Sequence, residues 1–197
     1  MAQIGLKYMV CAPLSEGGNG YDQGMVIARA IKADIKLTFN TVELWADDGK
    51  TDTIKEYKDG RITLEGDYLS FETRALLLGH EYKKGDNGQP DLLVSKIDDD
   101  GKYVGVGFYS TTRANGKSMY RAIWISKVKF SETGETLETK NGSTKYQTPS
   151  LEGEILQNDL SVWKEEALVA APEKAVAWLN EKANIAGDSG VSEPGEE

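Results

Sequence analysis

Ala33-Asp34-Ile35-Lys36-Leu37-Thr38-Phe39-Asn40-Thr41-Val42-Glu43-Leu44 opens with strict alternation of apolar and polar side chains. Ile35, Leu37 and Phe39 fall on one face, and Asp34, Lys36, Thr38 and Asn40 on the other. A period of two predicts a half-buried β-strand with one polar face. The polar stretch from Ala46 to Thr53, with its Asp48-Gly49 turn signal, reads as a loop. Ile54–Tyr57 resumes a short strand, and Asp59-Gly60 reads as a tight hairpin turn into Arg61–Glu65. Three antiparallel strands in so short a span begin a sheet.

Working outward, the spacing predicts a helix over about 70–79. Ser70 is a favourable N-cap, Glu72 suits the positive end of the helix dipole, and Gly79 is a C′ residue. Phe71, Ala75 and Leu78 share one face, widened by Leu76 and Leu77, so this short helix is expected to plug an open side of the sheet. Glu81–Asp91, with Gly85, Asn87, Gly88 and Pro90, reads as a loop. A second β block follows. Lys102–Thr112 is interrupted by Gly105 and Gly107, which signals a bulge or a close backbone approach. Asn115-Gly116 joins it as a hairpin to Tyr120–Phe130, which is apolar on both faces near its middle and therefore central. Thr144–Thr148, Leu151–Gln157 and Val162–Val169 continue the block. A final helix over about 172–183 opens on Pro172 and Glu173 and repeats Ala175, Val176, Leu179 and Ala183, with Trp178 at the edge of that face.

The expected fold class is mainly β: a β-sandwich or small barrel of antiparallel strands with these two helices. No linker or internal repeat divides residues 1–183, so they form one domain, with residues 1–24 as an arm or loop. Residues 184–197 carry four acids and no base, and read as a flexible acidic tail.

The chain has 197 residues, 39% of them hydrophobic and 28% charged, which fits a folded globular protein. No run reaches the ~18–20 apolar residues of a transmembrane helix. The opening Met1–Lys7 lacks the basic-then-apolar pattern of a signal peptide, so the chain is expected to be soluble and made inside the cell. A net charge of −9 argues against binding nucleic acid by neutralising phosphates. Lone Cys11 allows no intramolecular disulfide and reads as a buried spectator thiol. Lone His80, just past a helix end, reads as a solvated residue near the last helical carbonyls rather than part of a catalytic dyad. Asp98-Asp99-Asp100-Gly101 places its acids consecutively, not at the alternating positions of a calcium loop, and reads as a polar turn. Gly105-Val106-Gly107 lacks the third glycine and βα context of a phosphate loop. Asn141-Gly142-Ser143 is a turn that happens to match a glycosylation sequon. Glu152 and Glu154 share a strand face, as a glycosidase pair does, but also as any solvated strand does. No enzyme activity, cofactor or metal is expected.

Several segments occur together in a telling order. Gly24–Ile35 leads into Val42-Glu43-Leu44-Trp45-Ala46-Asp47-Asp48, and Ala75–His80 follows. Further on stand Tyr120-Arg121-Ala122-Ile123-Trp124, Lys127–Phe130, Tyr146-Gln147-Thr148-Pro149, Leu151-Glu152-Gly153 and Ala177-Trp178-Leu179-Asn180. This ordered set, spanning about residues 5 to 183, resembles the major tail protein family of long-tailed bacteriophages, especially those of Gram-positive hosts. No single short motif is diagnostic; the order carries the resemblance.

The resemblance implies a structural subunit of a viral tail tube, made in the bacterial cytoplasm and residing in the virion tail. Such subunits form hexameric rings that stack into a hollow conduit for DNA. The implied partners are further copies of the chain, tape measure and tail terminator proteins, and DNA passing without specific binding; no membrane is involved. An acidic protein suits such a conduit because like charge discourages sticking. Similar proteins extend an arm to the neighbouring ring from the region of Trp45, Asp47, Asp48, Lys50, Asp52 and Lys55. The polar strand faces, Asp34, Lys36, Thr38 and Asn40 on one strand and Glu152 and Glu154 on another, are the candidates to line the lumen, with a negative sum expected. The competing reading is a ligand- or carbohydrate-binding β-sandwich module, with Trp45, Trp124, Trp163 and Trp178 as stacking platforms. Their places on alternating strands and a helix face favour core or subunit-interface roles.

Overall fold

The computed structural model describes residues 2–18, 20–46, 49–114, 116–134 and 148–186. The expected Thr144–Thr148 strand up to Gln147, the Asn141-Gly142-Ser143 turn and most of the acidic tail lie outside them. Ten strands and two helices are present among the described residues, in a mainly antiparallel β architecture of the expected sandwich or small-barrel kind.

The main sheet holds β1 (Ala2–Pro13), β2 (Met25–Ala28), β3 (Ala30–Ala46), β4 (Gly49–Gly66), β7 (Val104–Ala114), β8 (Lys117–Ser131), β9 (Ser150–Leu156) and β10 (Lys164–Val169). Its hydrogen-bonded order is β2-β1-β7-β8-β9-β4-β3, and β10 also pairs with β8. The two ends of this path, β2 and β3, are separated in the chain by Arg29 alone. One residue bridges that gap only if the sheet curls back on itself.

β8 is the hinge of the curl. Residues 120–125 pair with β10, and residues 127–131 with β9. Opposite them β7 shifts register between Val104 and Val106, which pair with Val128 and Ile125. The extra residue on β8 reverses the side-chain alternation. Ile123, Ile125, Val128 and Phe130 therefore all enter one core, with Met9, Cys11, Ile62, Leu64, Val106, Phe108, Leu151 and Ile155. Strict alternation along Tyr120–Phe130 would have split them.

Ala122 and Trp124 point to the other face, where Val10, Ala12 and Tyr109 join Ala175 and Leu179 of α2 (Pro172–Lys182) and Ala183, its C-cap. Trp124 is fully buried there, and its indole N–H donates to Tyr21 Oη at 3.0 Å. The two glycines of β7 allow this packing. A Cβ on Gly105 would lie 2.3 Å from Trp124 Cζ2, and one on Gly107 2.6 Å from Trp124 Cε3. Of the two sequence alternatives, close approach holds on this strand; the extra residues opposite it lie on β8 and β1.

α1 spans Phe71–Leu78 and is capped as expected. Thr73 N–H donates to Ser70 Oγ at 3.1 Å, and Gly79 adopts φ 80°. Thr73, Leu77 and Leu78 are its buried residues, and the two leucines join the main core; Phe71 and Ala75 are only half-buried. Past it, β5 (Glu81–Lys83) and β6 (Leu92–Val94) form a small separate ladder, so the Glu81–Asp91 loop begins with a strand.

Three other expectations give way. Residues 1–24 are not an arm or loop over their first half, because β1 pairs with both β2 and β7 and buries Met9, Val10, Cys11 and Ala12. Asp59-Gly60 is not a turn, because β4 runs straight through it. Gly60 is needed there because a Cβ would meet Leu37 Cδ2 at 2.9 Å. The polar segment 46–53 is not a loop: β3 and β4 remain paired out to Ala46 and Gly49.

Candidate assembly interface

β9 covers β4 only from Gly60 to Glu65. From Thr38 and Asp59 outward, β3 and β4 pair only with each other among the described residues. At about 3.3 Å per residue, Phe39–Ala46 carries this two-stranded ribbon roughly 25 Å past the sheet. Isolated ribbons are marginal in water.

Local chemistry explains how it leaves the body. Tyr57, at its base, donates from Oη to the Ile155 carbonyl at 2.8 Å and stacks on Trp163 with centroids 5.6 Å apart and planes 8° from parallel. Phe39 meets the Tyr57 ring edge-on. The register shift between Thr38 and Phe39 places one extra β4 residue, Lys58, there, and such a bulge strengthens local twist. Beyond it Asn40 pairs with Glu56 and Val42 with Ile54 on one face, and Asp52 follows on that face of β4. On the other, Glu43 and Lys50 form an ion pair.

Val42 and Ile54 are the anomaly. They form a directly opposed apolar pair, yet are 59% and 55% exposed. Sequence reasoning named the acids and lysines of this region and missed these two residues. The available signal was two β-branched apolar side chains, Val42 and Ile54, each with polar residues on both sides of it in sequence. Of the predicted arm residues, Lys50, Asp52 and Lys55 lie on β4 and Trp45 on β3. Asp47 and Asp48 lie outside the described residues, as does the Trp45 side chain.

The polar-face candidates come together. Lys36 pairs with Arg61, Arg61 with Glu154, and Glu154 with Lys129, giving one row across β3, β4, β9 and β8. Asp34, Thr63, Glu152 and Ser131 form the next. Thr38 continues this face, and Asn40 carries it onto the ribbon. Arg61 reaches Glu152 at 3.3 Å and Lys36 reaches Asp34 at 3.7 Å. Lys36, Arg61 and Lys129 stand against Asp34, Glu152 and Glu154, so these two rows are balanced in sign, not negative.

Other sequence-stressed residues are structural. His80 is buried rather than solvated: Nδ1 lies 2.8 Å from Asp99 Oδ2, and Nε2 lies 3.6 Å from Glu132 Oε2 without a hydrogen bond. Asp99 also accepts from Lys96 N–H; that bond first, and His80 second, hold its carboxyl below the usual carboxylate range. Cys11 is fully buried, and burial pushes its thiol up to about 12. Among the described residues no group of three His, Cys, Asp or Glu side chains is placed to hold a metal, and no helix is long and apolar enough to cross a membrane. Trp124 is unavailable as a sugar platform, Trp163 already stacks on Tyr57, and Trp178 has the Lys182 ammonium 5.5 Å from its ring.

No protein-family model matches the chain, and comparison with curated proteins returns no match.

Proposed function

We propose that this chain is the structural subunit of a bacteriophage tail tube, assembling as stacked six-membered rings around a conduit for DNA. The observation that carries the reading is the projecting β3–β4 ribbon. Among the described residues it extends beyond the strand that covers β4, and it holds Val42 and Ile54 in water. An apolar pair on a marginal ribbon is stabilised by a neighbouring subunit. The ordered sequence resemblance supplies the six-fold ring, the stacking and the DNA, with tape measure and terminator proteins as further partners. The uncovered face holding Asp34, Lys36, Glu152 and Glu154 suits a wetted wall, as a mosaic of both signs. The burial of Trp124 and the engagement of Trp163 count against the carbohydrate-binding alternative.

Electron microscopy of the concentrated protein in negative stain, together with light scattering, tests the reading. Rings or tubes are expected. Monomers or two-fold dimers alone at high concentration would overturn it.

A further inference from the structure

The interior of the curled sheet is not completely filled. A cleft of about 590 Å³ opens between β3 and the opposing β7 and β8, and no residue of α1 lines it. Its apolar walls include Ile31, Ile35, Leu37, Phe108, Ile123 and Trp163. Lys32, Arg121 and Lys164 also line it, and no acidic side chain does; their carboxylate partners, Glu65 and Glu166, are not among the lining residues. Ser110 adds a second observation. It lines the cleft, it is only 7% exposed, and its Oγ has no hydrogen-bond partner among the described residues. A buried hydroxyl left unpaired is costly, and an occupant with a polar group satisfies it.

The cleft therefore calls for an apolar centre, and its three cations, paired to the two carboxylates of Glu65 and Glu166, leave one positive charge for a further carboxylate beside it. The chain carries such a surface. On one face of the ribbon the exposed Val42–Ile54 pair is flanked by Glu56 on one side and Asp52 on the other. We infer that the ribbon of one copy docks into the β3–β7–β8 cleft of the next, with Val42 and Ile54 against its apolar walls. Glu56 and Asp52 then face the cationic lining. Ribbon and cleft are different surfaces, so the contact is heterologous and propagates head to tail. Opposite charges around an apolar centre fix orientation and register. The inference rests on the self-assembly proposed above and adds to it the acceptor site.

The test mixes two full-length variants, Val42→Cys and Ile31→Cys, under mild oxidation and reads the products on a non-reducing gel. Both positions are exposed, and buried Cys11 does not compete. A mixed disulfide pair is expected in the mixture, with its loss when Ile54→Asp is added to the Val42→Cys chain. Rings or tubes without the mixed disulfide would overturn the cleft as acceptor while leaving self-assembly standing. Monomers alone by light scattering would overturn both. Val42→Cys homodimers in place of the mixed pair would set ribbon against ribbon and also overturn it.

Discussion

Replacing Val42 and Ile54 together by threonine tests whether the ribbon's apolar pair serves the subunit or its neighbour. Threonine keeps the β-branch, so the ribbon retains its strand preference. Fully covering a valine or isoleucine side chain is worth about 1.5–3 kcal/mol. The subunit leaves 59% and 55% of these two exposed. A neighbour that completes their burial therefore gains on the order of 1–1.5 kcal/mol from each, or about 2–3 kcal/mol per contact. Losing that weakens association by roughly 30- to 150-fold. The isolated subunit is expected to change by no more than about 0.5 kcal/mol, as surface exchanges do. Sedimentation velocity over a concentration series reads the first quantity, and thermal melting of dilute protein reads the second. An unchanged assembly midpoint would refute the reasoning. So would a large fall in the melting temperature of the dilute subunit, which would show that the pair belongs to the subunit's own core.

Three further outcomes are expected. Gly107→Ala places a methyl 2.6 Å from Trp124 Cε3 and 2.7 Å from Leu179 Cδ2, and overpacking of this kind costs about 2 kcal/mol, seen as a fall in melting temperature of about 4–8 °C; an unchanged melt would mean that α2 moves freely off the sheet. The Arg121 guanidinium, followed by the Lys164 ammonium, holds the Glu166 carboxyl at about 2. Its folded value is depressed, so its contribution is present above the ordinary carboxylate range and lost as pH falls through that range towards about 2. The difference in melting temperature between wild type and Glu166→Gln should accordingly shrink over that window, and a gap that widens on acidification would contradict the assignment. Cys11, with its thiol pushed up to about 12 by burial, should resist a thiol reagent at pH 8 until denaturant is added; rapid labelling of the native protein would show that β1 opens.

Both helices were legible because their ends are local chemistry. Ser70, Gly79 and Pro172 act on backbone groups within a turn of themselves, and no distant partner is needed to read them. β1 was not legible. Met9, Val10, Cys11 and Ala12 are all buried because each face of the strand packs on a different core, so no alternation survives. Its register also shifts twice, with Gly5 and Tyr8 at positive φ. Asp59-Gly60 misled because a glycine beside an aspartate has two uses. Here it makes room for Leu37 and Tyr57 instead of turning the chain. The polar stretch after Leu44 was read as a loop and is part of a paired ribbon. A ribbon with no core of its own shows little periodicity, since its pairing is carried by backbone hydrogen bonds that any side chain permits. His80 was misplaced because its burial depends on Asp99 and Glu132, which no local pattern brings to it.

Closure of the sheet through Arg29 also sets an order on synthesis. β3 and β4 are neighbours in sequence and can pair as soon as both have left the ribosome. The strand that ties them to the rest arrives much later: the Ile155 carbonyl that receives the Tyr57 hydroxyl lies 98 residues downstream. Throughout that interval the nascent chain displays an unanchored hairpin with Val42 and Ile54 on it, and late long-range pairing leaves such edges open to association. The charges crowded around the pair, Glu43, Asp52, Lys55 and Glu56, act in that interval as gatekeepers. They keep the hairpins of neighbouring nascent chains apart until the sheet has closed.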